Sequence, residues 1–352
     1  MMKSKANVLT EGSTMDITVV IPTFNAAPFI AETIDSVICQ TLPPSQIIVV
    51  DDASTDNTYE IVTNFVKHSS VPIRFVQRNC GSGGPAAPLN AGMSLVASKW
   101  VALLDHDDLM LSNKLERQSA AIIKHNSNFC FSDYKMLGPD GTLTSGLSPE
   151  QRRMLIASRE KNDDEYPIDK STYLQSQALE PGIIQSCSNL FFHIELFHRH
   201  GPFDEKRSAI ADYAFKLAIV DHVQPVFIDT VLFHKRWHQT NLYKVSDDRE
   251  LRRDVRRLAL SSLQRRPAFL RNDFIFRQKL CAQLCENGYR CRCRGLLRES
   301  MEIYIDAVAT VGLSMKLLMH LVKWPAAVFR DTILKKTFKY NSVRSARCAA
   351  SK

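Results

Sequence analysis

A chain of 352 residues, 45% of them apolar, is ordinary for a soluble globular protein and long enough for one substantial α/β domain plus a smaller appendage. Its formal net charge of +8 is unevenly spread: residues 1–248 hold 22 Lys and Arg against 29 Asp and Glu, whereas residues 249–352 hold 23 against 8, so an acidic region precedes a basic one. The most apolar stretch, 303–322, carries Asp306, Lys316 and His320, which excludes a membrane span, and nine irregularly spaced cysteines without an apolar leader point to reduced thiols and a cytoplasmic location.

In chain order, residues 1–15 read as a polar, disordered lead. Ile17-Thr-Val-Val-Ile21 is a β-branched run that predicts a buried parallel strand, and Phe29, Ile30, Thr33, Ile34, Val37 and Ile38 then recur at helical spacing. A second apolar strand, Ile47–Val50, completes a βαβ unit. The alternation continues with a helix over 58–68, a strand over 73–77, a Gly-rich loop, a helix over 90–97 and a strand over 100–104. This predicts a doubly wound parallel sheet with its crevice at the carboxyl ends of the strands. Beyond it come a helix to His125, a strand over 129–134, a hairpin turn at Gly138-Pro-Asp-Gly141, and a polar segment over 145–180 with a helix at 169–178. A strand over 183–192, a helix over 212–220 and a strand over 226–233 close the first domain. The composition turns Arg-rich after Ser246, so the catalytic region is expected over 16–246 and a basic helical region over 247–352.

The polar clusters Pro22–Asn25, Asp51–Asp56 and Asp105–Asp108 all fall at such strand ends. Asp105-His-Asp-Asp108 follows an apolar strand, and carboxylates so close together repel unless a hard divalent cation with oxygen ligands relieves them. Acidic loops after strands are also plain turns or helix caps, and Asp108 is placed to be such a cap. In Asp51-Asp-Ala-Ser-Thr-Asp56, Asp52 is expected to face a nucleobase or ribose, with Asp56 starting the next helix. Gly81-Ser-Gly-Gly84 gives backbone that can approach an anionic ligand ahead of a helix, without the Gly-Lys-Ser/Thr of a P-loop.

Pro22-Thr-Phe-Asn25, Asp51–Asp56, Gly83-Gly-Pro-Ala-Ala87 with Asn90-Ala-Gly92, and Leu104-Asp-His-Asp-Asp108 stand in the order and spacing of the family 2 inverting glycosyltransferases, which the chain resembles over roughly 16–240. The resemblance implies a GT-A fold, a Rossmann-like mixed sheet flanked by helices. It implies donor binding through Pro22, Thr23, Asn25, Asp52, Gly83, Gly84, Asn90 and Asp105, and a divalent metal, Mn²⁺ or Mg²⁺, at Asp105 and Asp107. Gly201-Pro-Phe-Asp-Glu205 followed by Ala211-Asp212-Tyr213 matches the family's base motif and makes Asp212 the candidate base, while His238 stands where relatives carry a histidine near the diphosphate. The chain departs from the family pattern at Ala211, usually Glu, and at Leu89, usually Arg. His106 reads as a packing residue, and Cys281, Cys285, Cys291 and Cys293 as helix-packing thiols, since their spacing lacks the paired knuckles of a zinc site.

Arg252, Arg253, Arg256 and Arg257 lie on adjacent helical turns with Leu251, Val255 and Leu258 opposite, a pattern that suits an anionic membrane surface or packing on the catalytic domain. The apolar stretch over 313–322 is read the same way. Nucleic acid is not an expected partner, because no RNA-binding signature or aromatic interleaving accompanies the charge. The resemblance implies an inverting, metal-dependent transferase acting on a nucleotide-diphosphate sugar and a saccharide or lipid-linked saccharide acceptor in cell-surface polysaccharide synthesis, peripheral at the inner face of the membrane. A catalytically silent nucleotide-sugar-binding or scaffold protein and a nucleotidyltransferase are the alternatives.

Overall fold

In a computed structural model of the chain, the described residues are 15–156, 164–178, 184, 186–241, 248–266, 273–312, 317 and 319–320. The N-terminal lead and most of the 313–322 stretch lie outside them.

The first half follows the predicted alternation. β1 (Ile17–Thr23), α1 (Ile30–Ile38), β2 (Gln46–Asp51), α2 (Thr58–His68), β3 (Ile73–Gln77), α3 (Ala86–Met93) and β4 (Trp100–Leu103) succeed one another. The four strands are parallel, with Thr23 opposite Asp51 and Ile17 opposite Trp100. Every residue of β1 is buried, as a central strand covered on both faces requires. Ile30, Ile34 and Val37 of α1 supply one cover, packed with Val19, Ile21, Ile47 and Val49 in the main core.

The α3 helix begins at Ala86, earlier than its apolar spacing suggests, and rests directly on the sheet at Gly92. A Cβ there would sit 2.6 Å from Val20 Cγ1 and 3.2 Å from Val50 Cγ2, so only glycine admits this approach.

The second half is mixed rather than parallel. It adds β5 (Leu109–Met110), α4 (Lys114–His125), β6 (Phe129–Leu137), β7 (Leu143–Ser145), α5 (Pro149–Ile156), β8 (Glu165–Pro167), α6 (Lys170–Ala178), β9 (Phe191–His193), α7 (Glu195–His200), α8 (Ala211–Ala218) and β10 (Pro225–Arg236). Among the described residues the strand order is β3-β2-β1-β4-β9-β6-β10-β5, with β7 on β6 and β8 on β10. β9 runs antiparallel between β4 and β6, β10 is parallel to β6, and the Gly138–Gly141 turn makes β6 and β7 a hairpin.

The strand expected over 183–192 is a 3-10 turn at Cys187–Asn189 followed by the short β9. Its polar side chains take over the ladder: Ser132 N donates to Asn189 Oδ1 at 2.8 Å, and Asn189 Nδ2 donates to Ser132 O at 2.9 Å. Local side-chain bonds of this kind compete with strand pairing.

The chain divides between Leu258 and Ala259 into two compact units. The helix α9 (Asp248–Gln264) runs across that point, so the change in composition near 247 and the change in packing do not coincide. In the second unit α10 (Phe274–Cys293) packs beside α11 (Leu297–Val311): Gly288 lies against the Tyr304 ring, and Ser300 Oγ donates to Gly288 O at 2.7 Å. Cys281 and Cys285 are buried on α10, whereas Cys293 is exposed. The basic stripe on α9 is not uniformly solvated, for Arg252 and Arg257 are exposed but Arg256 is buried. No helix among the described residues is long and apolar enough to cross a membrane.

Candidate functional site

The loops after β1, β2 and β4 leave the same edge of the sheet, where parallel α/β folds place their ligands. The first two are laced together. Asn25, at φ 45°, donates from its backbone N to Ser54 Oγ at 2.8 Å and accepts from Thr55 N on Oδ1 at 2.8 Å. Asp56 accepts from Ala27 N and from Thr58 N, each at 3.0 Å, so it starts α2 and ties it to the β1 loop. Burial works to raise the Asp56 carboxyl, but these bonds outweigh it and hold it low. Thr23 is 1% exposed and its Oγ1 has no hydrogen-bond partner among the described residues, an orphaned buried hydroxyl at the strand end. Pro22 is buried beside it, and its carbonyl lies 3.3 Å from His106 Nδ1.

Asp52 is 3% exposed and held from two sides. Arg78 Nη1 pairs with Oδ1, while Ser82 donates to Oδ2 from N at 2.8 Å and from Oγ at 2.7 Å. Ala53, at φ 62°, turns the chain immediately beyond it. Arg78 carries no motif that singles it out in the sequence; only the β2–β3 register delivers it to Asp52.

The Gly-rich segment faces the chain that leads into α8. Gly84 abuts Ser208, whose Oγ accepts from Ala86 N at 2.9 Å, and Gly83 has φ 81°. Asn90 Nδ2 donates to Phe203 O and to Glu205 Oε1, both at 3.0 Å, and Asn90 Oδ1 accepts from Phe203 N at 2.8 Å. These contacts fix the turn that presents Asp212 on the first helical turn of α8.

The acidic loop after β4 is tied to two other elements. Asp107 Oδ2 lies 2.8 Å from His238 Nε2 and accepts from Asn241 Nδ2 at 3.1 Å. Burial opposes ionisation of Asp107, but the His238 bond and the charges of His106 and His238 win, and the carboxyl stays low. Asp105 is pushed up to about 6, first by burial and then by the Asp107 charge, with a further contribution from Asp212. Asp108 is 1% exposed and accepts from Ser188 Oγ at 2.6 Å, from Ser186 Oγ at 3.1 Å and from Arg236 N at 2.9 Å. Burial, with its two acidic neighbours, raises it well above the usual carboxylate range. Asp108 therefore knots the acidic loop to the 186–188 turn and to the end of β10.

The His238 ring packs at a tilt on Phe29, with ring centroids 4.5 Å apart, and Arg236 lies over the same ring at 5.1 Å. Thus two residues distant in sequence act on the acidic loop, His238 through its contact with Asp107 and Asp212 through its charge on Asp105. Among the described residues no three His, Cys, Asp or Glu side chains are placed to hold a metal ion by themselves. Sequence reasoning passed over Arg78, Ser82, Ser186, Ser188, Asn241 and Lys216. Of these, Asn241 carried a signal in its place beside His238 in one short polar run, Ser82 in the Gly81–Gly84 segment, and Lys216 in its i+4 spacing from Asp212.

Residues 18–182 match the family model described as Glycosyl transferase family 2. The chain is 32% identical over 127 residues to the putative teichuronic acid biosynthesis glycosyltransferase TuaG of Bacillus subtilis, covering 36% of this chain and 49% of that one. It is 28% identical over 135 residues to the UDP-Glc:alpha-D-GlcNAc-diphosphoundecaprenol beta-1,3-glucosyltransferase WfgD of Escherichia coli, covering 38% and 52%. The chain thus spans about half the length of these curated relatives. Its fold is similar to the crystal structure of S. aureus TarS 1–349 in complex with UDP, with a TM-score of 0.60 at 20% identity over 90% of this chain and 89% of that one.

Proposed function

We propose, from the match of residues 18–182 to the family model described as Glycosyl transferase family 2, that this chain moves a sugar from a nucleotide-diphosphate sugar to an acceptor hydroxyl, with inversion at the anomeric carbon. The observation that carries this reading is the convergence of the acidic loop, His238 and Asp212 at the carboxyl edge of the sheet, where the charges of Asp107 and Asp212 both act on Asp105.

Thr23, with its unpartnered hydroxyl, and Asp52, set by Arg78 and Ser82, take the nucleoside. Pro22 and Asn25 shape the rim of that slot, and Gly83, Gly84 and Asn90 serve the donor by holding the turn ahead of Asp212. Asp105 and Asp107 would hold the Mn²⁺ or Mg²⁺ through their carboxylate oxygens, the donor type that hard divalent cations take, while His238 orients Asp107. Bound there, such an ion would offset charge on the departing diphosphate. Asp212 takes the acceptor hydroxyl's proton as that oxygen bonds to the anomeric carbon, and the bond from the anomeric carbon to the diphosphate oxygen breaks with its electron pair leaving on the nucleoside diphosphate. One displacement, with no covalent enzyme intermediate, inverts the centre.

WfgD is named for a diphosphoundecaprenol acceptor, and a lipid-linked saccharide is the acceptor class proposed for this chain in cell-surface polysaccharide synthesis. The exposed Arg252 and Arg257 suit contact with the anionic inner face of a membrane, at about 1 kcal/mol for each basic residue. The test is release of nucleoside diphosphate from a panel of nucleotide sugars with Mn²⁺ or Mg²⁺, comparing the natural chain with Asp212→Asn. Binding without turnover would favour a silent sugar-nucleotide binder, and release of pyrophosphate a nucleotidyltransferase.

A further inference from the structure

We infer that Lys216 is a positioning residue for Asp212, a buried counter-ion that aims one carboxylate oxygen at the acceptor by holding the other. This rests on the reading of Asp212 as the base. Lys216 lies one helical turn after Asp212 on α8, and its side chain is 1% exposed against 18% for Asp212. Its Nζ donates to Asp212 Oδ2 at 2.8 Å and to Ile184 O at 2.5 Å, and sits 5.8 Å from the centroid of the Tyr213 ring. An ammonium that deeply buried is retained only where partners replace its water, and here a carboxylate, a carbonyl and an aromatic face do so.

The pair is one to one. Ala211 adds no second carboxylate beside Asp212, and Asp212 Oδ1 makes no hydrogen bond among the described residues. One oxygen is thus anchored and the other is left to accept a proton. Lys216 holds the carboxylate in a fixed orientation. Nothing in the sequence marks this lysine except its i+4 spacing from Asp212.

A double-mutant cycle on the full chain tests this, reading kcat and donor KM for Mn²⁺-dependent release of nucleoside diphosphate. K216M is expected to lower kcat by roughly 10- to 100-fold, the scale on which a misplaced catalytic group costs rate, with donor KM unchanged. In the D212N background the same substitution is expected to have no further effect, and K216R to retain more activity than K216M. Should K216M lose its cooperative melting transition, K216Q, which keeps a hydrogen-bonding head without the charge, carries the comparison. An equal loss in both backgrounds, a donor KM that rises in step, or wild-type kcat in the folded variant overturns the proposal. If D212N itself turns over at the wild-type rate, the base reading fails, whereas an inactive D212N beside a fully active K216M removes only the role of Lys216.

Discussion

His238 Nε2 and Asp107 Oδ2 lie 2.8 Å apart although 131 residues separate them, and this contact joins the segment after β10 to the acidic loop after β4. Asn241 reaches the same oxygen at 3.1 Å. Asp107 is thus oriented before any ligand arrives. Replacing His238 by Gln or Asn241 by Ala is expected to raise the Mn²⁺ concentration for half-maximal turnover by about 10- to 100-fold, the usual cost of disturbing a metal ligand or its support. A metal titration of nucleoside diphosphate release measures it, and an unchanged midpoint for His238→Gln would separate this contact from metal binding.

Arg78→Met acts on the other side of the crevice. It removes the cation from Asp52, a carboxylate only 4% exposed, and leaves Ser82 as the remaining partner on that side chain. Hydrogen bonds to charged groups contribute about 1.5–3 kcal/mol, so donor KM is expected to rise by roughly tenfold or more while kcat changes less. Steady-state kinetics at saturating metal check the split, and a fall in kcat at constant KM would place Arg78 elsewhere in the mechanism.

Lys114 supplies a pH dependence of stability that is separate from the reaction. It is fully buried at the start of α4 and bonds Gln118 Oε1 at 3.1 Å, and burial lowers its ammonium from 10.5 to about 8. Between about 8 and 10.5 the unfolded chain keeps this proton when the folded chain has lost it, so this lysine makes unfolding harder as pH rises through that window. The gain is about 3 kcal/mol, fully present above 10.5 and lost as pH falls through about 8. Urea unfolding of the natural chain and of Lys114→Met at pH 7 and pH 10 should show their difference moving in favour of the natural chain by that order. A pH-independent difference would mean that Lys114 has the same affinity for its proton in both states.

Gly92→Ala tests how closely α3 must approach the sheet. The added methyl would stand 2.6 Å from Val20 Cγ1, and overpacking of this kind costs about 1–3 kcal/mol. Adding Val20→Ala should restore part of the loss in melting temperature. Equal stability of Gly92→Ala and the natural chain would show that the helix can lift without cost.

The first four strands are legible in the sequence because each is a β-branched run bounded by polar residues, and a parallel strand buried on both faces has no other pattern to follow. The acidic loop is legible for the same reason, since Leu104 ends an apolar run directly before Asp105. The 183–192 segment misleads because its apolar residues have strand spacing, while Ser186, Ser188 and Asn189 satisfy backbone and carboxylate partners that the spacing does not reveal. Arg256 misleads in the opposite sense, for a charge pattern predicts a face but not which of its members the fold buries. The pairs Arg78–Asp52 and Lys216–Asp212 differ in kind: the first depends on strand register, and the second lies at helical spacing on a helix whose buried side the composition does not identify.

The most direct test is a comparison of three chains, the natural one, Asp107→Asn and Asp212→Asn, in nucleoside diphosphate release from nucleotide sugars with Mn²⁺ and after chelation. The account predicts metal-dependent release by the natural chain alone, with both variants reduced by about 100-fold or more. Release that survives chelation, or an Asp212→Asn variant as fast as the natural chain, would contradict it.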